Sequence, residues 1–168
     1  EALPLESTIL ETHTADQPFI FESLKNYLQK QGLRVFSAIH PVLGVGRRWE
    51  RIVSVGGPRE ESSQESFCFF QIEPVESPER LRRMEHEVFS LLKAVFAAID
   101  DFEGMCRACR ALGARLRSRS ADPSGLAPAR AFLDWLLDDN YVFMGTVSYR
   151  AGRDGALARV PESAAGAF

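Results

Sequence analysis

Two stretches of this chain open on the same local signal, and together they limit what can lie between them. Asp16-Gln17-Pro18 and Ser77-Pro78 each set a short polar side chain just ahead of a proline. Such a side chain accepts a hydrogen bond from an orphan N–H of a first helical turn, and a proline costs little there because that N–H would go unbonded anyway. Behind the first signal, Ile20, Leu24, Tyr27 and Leu28 recur at helical spacing over Asp16–Gln31, and Gly32 stands where a left-handed residue closes a helix. Behind the second, Leu81, Met84, Val88, Leu91 and Leu92 form one seam over Ser77–Leu92. Each helix has one apolar face and therefore needs a surface to bury it against.

The neighbouring residues supply strands. Ser7 to His13 reads as a short one. Leu33 to Val45, with Val35, Phe36, Ile39, Val42 and Leu43, reads as a long one in which His40-Pro41 marks a bend or a sheet edge. Arg51 to Val55 is a further short strand, polar Gly56 to Glu65 a loop, and Ser66 to Glu73 a strand carrying Phe67, Phe69, Phe70 and Ile72. Ala94 to Ile99 fits either a fourth strand or the end of the second helix. Taken as a strand, it completes an α+β, ferredoxin-like βαββαβ order from about Thr8 to Ile99: an antiparallel sheet with two helices on one face.

Beyond that core, Asp100 or Asp101 caps a third helix carrying Phe102, Met105, Cys109, Leu112 and Leu116. Ser118 to Pro128 has the composition of a linker. A helix over Ala129–Leu137, a strand over Tyr141–Tyr149, a turn at Gly152–Gly155 and a short further strand follow. The expected division is a ferredoxin-type domain over 1–100, a helix and linker over 101–127, and a helix-strand segment over 128–168 leading into the next domain of a longer chain.

Composition narrows the function classes. Lys plus Arg number 20 against 23 Asp plus Glu, a net charge of −3, which is too balanced to make nucleic acid or an anionic membrane the expected partner. Hydrophobic residues make up 45% of the chain, with twelve Phe, so a buried core is expected rather than disorder. Three Cys cannot pair fully, no run of 18 apolar residues occurs, and Glu1-Ala2-Leu3-Pro4 is no basic-then-apolar leader. The expected setting is the cytoplasm, and the chain reads as a piece of something longer.

Constellations that carry chemistry are sparse. Cys106 and Cys109 form a C-x-x-C, but no second pair completes four zinc ligands, and Cys106 lies past the first helical turn where a dipole lowers a thiol pKa. Core packing of reduced, metal-free thiols is the expectation. His13, His40 and His86 lie far apart, without ligand-like spacing, and read as solvated or capping groups. Arg107, Arg110, Arg115, Arg117 and Arg119 lack interleaved aromatics, so they read as a solvated helix face. No G-x-G-x-x-G, P-loop or G-x-S-x-G occurs, which favours a regulatory or assembly module over an enzyme.

Several spaced blocks then point to a family. Asp16-Gln17-Pro18-Phe19-Ile20-Phe21-Glu22-Ser23, Gln31-Gly32-Leu33, Ile39-His40-Pro41-Val42, Glu65-Ser66-Phe67, Asp101-Phe102-Glu103-Gly104-Met105, Phe132-Leu133-Asp134-Trp135-Leu136 and Asp139-Asn140-Tyr141-Val142-Phe143-Met144-Gly145 occur in that order from Thr8 to about Val160. The chain resembles the N-terminal, ACT-like region of the large bacterial NAD-specific glutamate dehydrogenases. The resemblance implies a non-catalytic regulatory or assembly domain that acts with other domains of its own chain, in a homo-oligomer. It implies no cofactor in this segment and NAD in the catalytic region of the parent, which deaminates L-glutamate oxidatively to 2-oxoglutarate. As an alternative, it implies an amino-acid effector bound near Asp16, Gln17, Pro18 and Phe19. Ligand-binding ACT domains have Gly where Phe19 stands, and a Phe there is expected to be mostly buried, closing the turn to ligands.

Overall fold

Residues 6–49, 51–57, 63–118 and 125–167 are described by a computed structural model, which divides into two units, Glu1–Leu92 and Lys93–Phe168. The first unit runs β1 (Thr8–Ala15), α1 (Ile20–Lys30), β2 (Val35–Ile39), β3 (Val42–Arg48), β4 (Arg51–Gly56) and β5 (Ser63–Ile72), and ends within α2 (Pro78–Asp100). β5 is its centre. Ser66, Cys68, Phe70 and Ile72 alternate along β5 and are buried on one face. β1 pairs antiparallel along the length of β5, from Thr8 opposite Ile72 to Ala15 opposite Glu65. On the other flank β2 pairs with Ile72 to Phe69, and β3 then pairs with Ser66 to Ser63.

β2 and β3 are therefore the one long strand expected from the sequence, interrupted at His40-Pro41, where the proline has no N–H to give the ladder. β4 pairs with β3 alone and is exposed along its length. β1 and the β2–β3 strand run parallel with β5 between them and α1 as the connection, a split βαβ unit. α1 buries Ile20, Leu24 and Leu28, and its Phe21 stacks on Phe70 of β5 at 5.1 Å.

The ends of α1 separate two sequence signals. At the C-terminus Gly32 has φ 71°, its N–H bonds to Gln29 O at 3.0 Å, and the Leu33 N–H bonds to Leu28 O at 3.1 Å. That is a Schellman closure, with Leu28 and Leu33 both buried beside it. At the N-terminus the expected Asp16 cap is corrected. The Asp16 N–H bonds to Gln64 O at 2.8 Å, extending the β1–β5 ladder, so the helix starts later, with Phe19 as its N-cap and no side chain capping it. Ser77 does cap α2, accepting the Arg80 N–H at 3.2 Å. Tyr27 donates to Glu87 at 2.7 Å and Arg80 reaches Gln31 O at 3.3 Å, which ties the start of α2 to α1.

Ala94 to Ile99 is helix, not a fourth strand, and the βαββαβ order is corrected accordingly. Met84, Val88, Val95 and Ala98 are buried at helical spacing, three alanines raise local helix propensity, and neither Gly nor Pro occurs between Pro78 and Gly104 to break the run. Among the described residues β1 has only β5 as a partner.

The second unit contains α3 (Phe102–Ser118), α4 (Ala127–Trp135), a wide helical turn over Leu136–Asn140, and the short strands β6 (Gly145–Thr146), β7 (Tyr149–Ala151), β8 (Leu157–Arg159) and β9 (Ala165–Gly166). The expected linker falls largely on 119–124, outside the described residues. Pro128, read as linker, sits in the first turn of α4, which begins at Ala127. The expected strand Tyr141–Tyr149 is also corrected: the segment serves two partners, with β6 on β9 and β7 on β8, so it breaks between them. The turn at Gly152–Gly155 closes the β7–β8 hairpin, as the sequence indicated. Met105, Cys106, Cys109 and Phe143 form a small core with Leu133, Leu136, Leu137 and Ala165 packed against it, so both thiols pack as apolar groups.

Two glycines with positive φ make different predictions. A Cβ on Gly32 would meet nothing within 4 Å, whereas a Cβ on Gly166 (φ 73°) would stand 2.5 Å from Met144 O and 2.9 Å from Gly145 Cα. Gly32→Ala should cost only the left-handed penalty of about 1 kcal/mol. Gly166→Ala adds a backbone clash and should cost about 3 kcal/mol. Urea unfolding of both variants compares them directly.

Candidate functional site

The turn into α1 brings the four residues singled out in the sequence into one short stretch. Asp16 and Gln17 are half-buried at the end of β1, and Pro18 and Phe19 form an exposed turn. Phe19 has φ 70° and ψ −3°, a left-handed conformation that a side chain adopts only at a cost. Its ring is 46% exposed, which corrects the expectation of burial. The backbone geometry gives the reason: the turn needs positive φ, which glycine supplies freely, so Phe19 occupies a glycine-type position without entering the core. The Phe19 carbonyl accepts the Ser23 N–H at 2.9 Å, and Glu22 places a carboxylate in the first helical turn. Beneath the helix, His40 stacks on Phe21 at 5.1 Å and contacts Ser66 Oγ at 2.8 Å through Nε2.

The opposite face of the sheet holds a cluster that sequence reading missed. Glu65, only 7% exposed, accepts Arg47 Nε at 2.9 Å and Arg47 Nη2 at 3.0 Å, a two-point guanidinium clasp. His13 Nε2 donates to the same carboxylate from β1, and Ser63 Oγ lies 3.1 Å from it. A bulge between Gly46 and Arg47 accompanies the turn of the arginine back toward β5. His13 stacks on Phe67 at 4.2 Å with the ring planes 9° apart. The clasp therefore joins β1, β5 and β3. The sequence carried one usable signal: on β5 the period-2 pattern sets Glu65 on the face opposite Ser66.

The electrostatics follow from these contacts. Arg47, and less strongly His13 and Ser63, hold the Glu65 carboxyl at about 2, well below its ordinary 4.5, against the opposing effect of burial. Such a group stays ionised and does not act as a general acid near neutral pH. Burial pushes the Cys68 and Cys109 thiols up, so neither is an activated nucleophile. His13, His40 and His86 are all solvent-exposed, in line with the solvated reading, and His13 and His40 in addition bond to β5 from opposite faces of the sheet. Among the described residues no group of three or more His, Cys, Asp or Glu can hold a metal ion. Gly44 and Gly46 lie inside β3, opposite Gly56 and Ser54, not at a strand-to-helix turn, so they do not fit a dinucleotide pyrophosphate. Arg107 pairs loosely with Glu103 at 3.8 Å on an exposed helix face, and Arg119 lies outside the described residues.

A shallow depression of about 490 Å³ lies beside the clasp, lined by Glu11, His13, Ile39, Pro41, Phe67 and Phe69 among others.

Comparison with known proteins adds a family. The family model described as "Glutamate dehydrogenase, ACT1 domain" matches residues 4–88, the stretch that forms the split βαβ sheet and the start of α2. An NAD-specific glutamate dehydrogenase of Halomonas elongata is 31% identical over 163 residues, covering 91% of this chain and 10% of that protein. One from Pseudomonas aeruginosa is 29% identical over 149 residues, covering 80% of this chain and 9% of that protein. The chain thus spans about a tenth of the length of these relatives.

Two predictions come from the site geometry. Glu65 has a folded pKa of about 2, below the ordinary 4.5, so its stabilisation is fully present above pH 4.5 and is lost as pH falls toward 2. Urea unfolding across that window should show a flatter acid limb for Glu65→Gln than for the native chain. For Phe19→Gly, relief of the left-handed strain, about 1 kcal/mol, is set against the loss of a half-buried ring, also about 1 kcal/mol. The variant should therefore unfold within about 1 kcal/mol of the native chain. A loss of about 3 kcal/mol, the cost of deleting a buried ring, would refute this account.

Proposed function

Because the chain belongs to the glutamate dehydrogenase ACT1 domain family, we propose that it serves as a non-catalytic regulatory or assembly domain of a large NAD-dependent glutamate dehydrogenase. In this reading the parent deaminates L-glutamate oxidatively to 2-oxoglutarate with NAD held elsewhere in the chain. The domain works in the cytoplasm against other domains of the same polypeptide and within a homo-oligomer. The observation that carries the reading is the coincidence of the family match, residues 4–88, with a sheet unit whose polar cluster is a closed ionic clasp. A carboxylate held ionised by a guanidinium and thiols pushed up by burial suit a structural role better than proton transfer or nucleophilic attack.

A second reading, an amino-acid sensor at Asp16 to Phe19, is favoured by one observation. The turn keeps a glycine-type left-handed backbone and the helix behind it has no side-chain cap, so its first amides are open to a carboxylate.

The two readings predict different results. The purified 168-residue chain should show no reduction of NAD with glutamate; turnover would overturn the non-catalytic reading. In a thermal-shift screen of the twenty amino acids, the assembly reading expects no change in Tm. A rise with one amino acid that Phe19→Gly preserves or increases would establish the sensor instead.

A further inference from the structure

The face of the sheet opposite α1 holds a slot that the clasp only borders. Two rows of side chains cross this face at right angles to the strands. Strand pairing sets Glu11 opposite Phe69 and Phe69 opposite Ile39. Two residues along β5 it sets His13 opposite Phe67, whose N–H bonds to Pro41 O at 3.1 Å. These six residues wall the depression of about 490 Å³, and Thr12 and Cys68, whose side chains alternate to the helix face, form its floor. Phe67 and Phe69 stand about 6.8 Å apart along their strand, so one flat ring or one extended alkyl chain fits between the rows at van der Waals distance from both. Across the sheet the slot runs two strand spacings, about 10 Å, from β1 to β2.

Its two ends differ. At the β1 end the side chains offer acceptors. Glu11 is exposed and makes no hydrogen bond or ion pair among the described residues. Glu65, ionised and able only to accept, fixes the proton of a neutral His13 ring on Nε2, which leaves Nδ1 with a lone pair. At the β2 end Ile39 is exposed beside Pro41, and neither side chain has a polar atom.

We propose that this slot binds a small monocationic amine with an apolar body, its ammonium held between Glu11 and His13 and its ring or chain laid between Phe67 and Phe69 toward Ile39. The sign of the charge follows from the lining. No lysine, arginine or side-chain amide is part of it, so an anion finds no partner there, and a zwitterionic amino acid would bring its carboxylate against Glu11. The single charge follows from the far end, where a second ammonium would lose water against Ile39 and Pro41 for no new bond. The slot shares no residue with the turn at Asp16 to Phe19, and it stands whether or not the domain regulates a dehydrogenase.

The test is a titration of the isotope-labelled 168-residue chain with phenethylamine, followed through the backbone amide resonances. Saturable shifts should gather at Glu11, His13, Ile39, Phe67 and Phe69, with a millimolar Kd. Phenylpropionate, a similar body with the opposite charge, and zwitterionic L-phenylalanine should leave these amides unmoved. Glu11→Gln, at an exposed position, should raise the Kd about threefold or more while the rest of the spectrum stays unchanged. Ile39→Glu adds an acceptor at the far end, so it should tighten binding of hexamethylenediamine by about the same factor. Absence of saturation overturns the proposal, as does equal binding of phenylpropionate, a Glu11→Gln variant as tight as the native chain, or an Ile39→Glu variant that gains nothing for the diamine. Tighter binding of Nα-acetyl-lysine methylamide than of phenethylamine overturns the free amine as occupant and assigns the slot to a lysine side chain.

Discussion

The first unit depends on β5 having an antiparallel partner on both flanks while its two faces do different work. Ser66, Cys68, Phe70 and Ile72 give α1 a surface to bury Ile20, Leu24 and Leu28 against, each worth about 1.5–3 kcal/mol. Glu65, one residue out of phase, gives the other face a charge that Arg47 and His13 close from the neighbouring strands. A one-residue slip of either flank would carry the clasp's partners to the wrong face, so the apolar and ionic patterns specify the same register. The apolar face supplies most of the energy. The clasp supplies direction, because a guanidinium fork fits a carboxylate in few orientations.

Local signals in this chain were readable where they involved one residue type in one backbone state. Gly32 at the end of α1 and Ser77 at the start of α2 act through glycine's access to positive φ and a hydroxyl's reach to a nearby N–H, and both appear as expected. Asp16 failed as a cap because the same residue was also the next rung of a strand ladder, a contact 48 positions away that no local pattern reports. Ala94 to Ile99 is apolar enough for a strand, but its burial keeps the helical period of Met84 and Val88, so the longer periodicity prevails over the short apolar run. Tyr141 to Tyr149 went the other way: an apolar run with no long partner cannot remain one strand.

The candidate site was half legible. The family resemblance pointed to the turn at Asp16 to Phe19, and that turn is present. The state of Phe19 was not legible, because nothing in Asp-Gln-Pro-Phe announces a left-handed phenylalanine. The clasp was invisible for another reason. Its members come from positions 13, 47, 63 and 65, and only the pairing of β1 and β3 with β5 brings them together. A long-range ionic cluster is a property of topology, and topology was what the sequence under-determined once the last strand proved to be helix.

The lengthening of α2 and the bareness of β1 have one cause. To lay a strand beside β1, the chain would have to reverse soon after Leu92, and reversal needs a residue that tolerates turn geometry. From Lys93 to Ile99 the chain offers Lys, three Ala, Val, Phe and Ile, none of them Gly, Pro, Asn, Asp or Ser. Propagating the helix adds a hydrogen bond per residue and keeps Val95 and Ala98 buried, whereas breaking it would require a new turn with no residue suited to make it. The helix therefore runs on to Asp100, and the strand order ends at β1. The residues that settle the helix also leave Ile9, Glu11, His13 and Ala15 with their backbone groups turned away from the sheet, so the local propensity of α2 leaves that edge unpaired among the described residues.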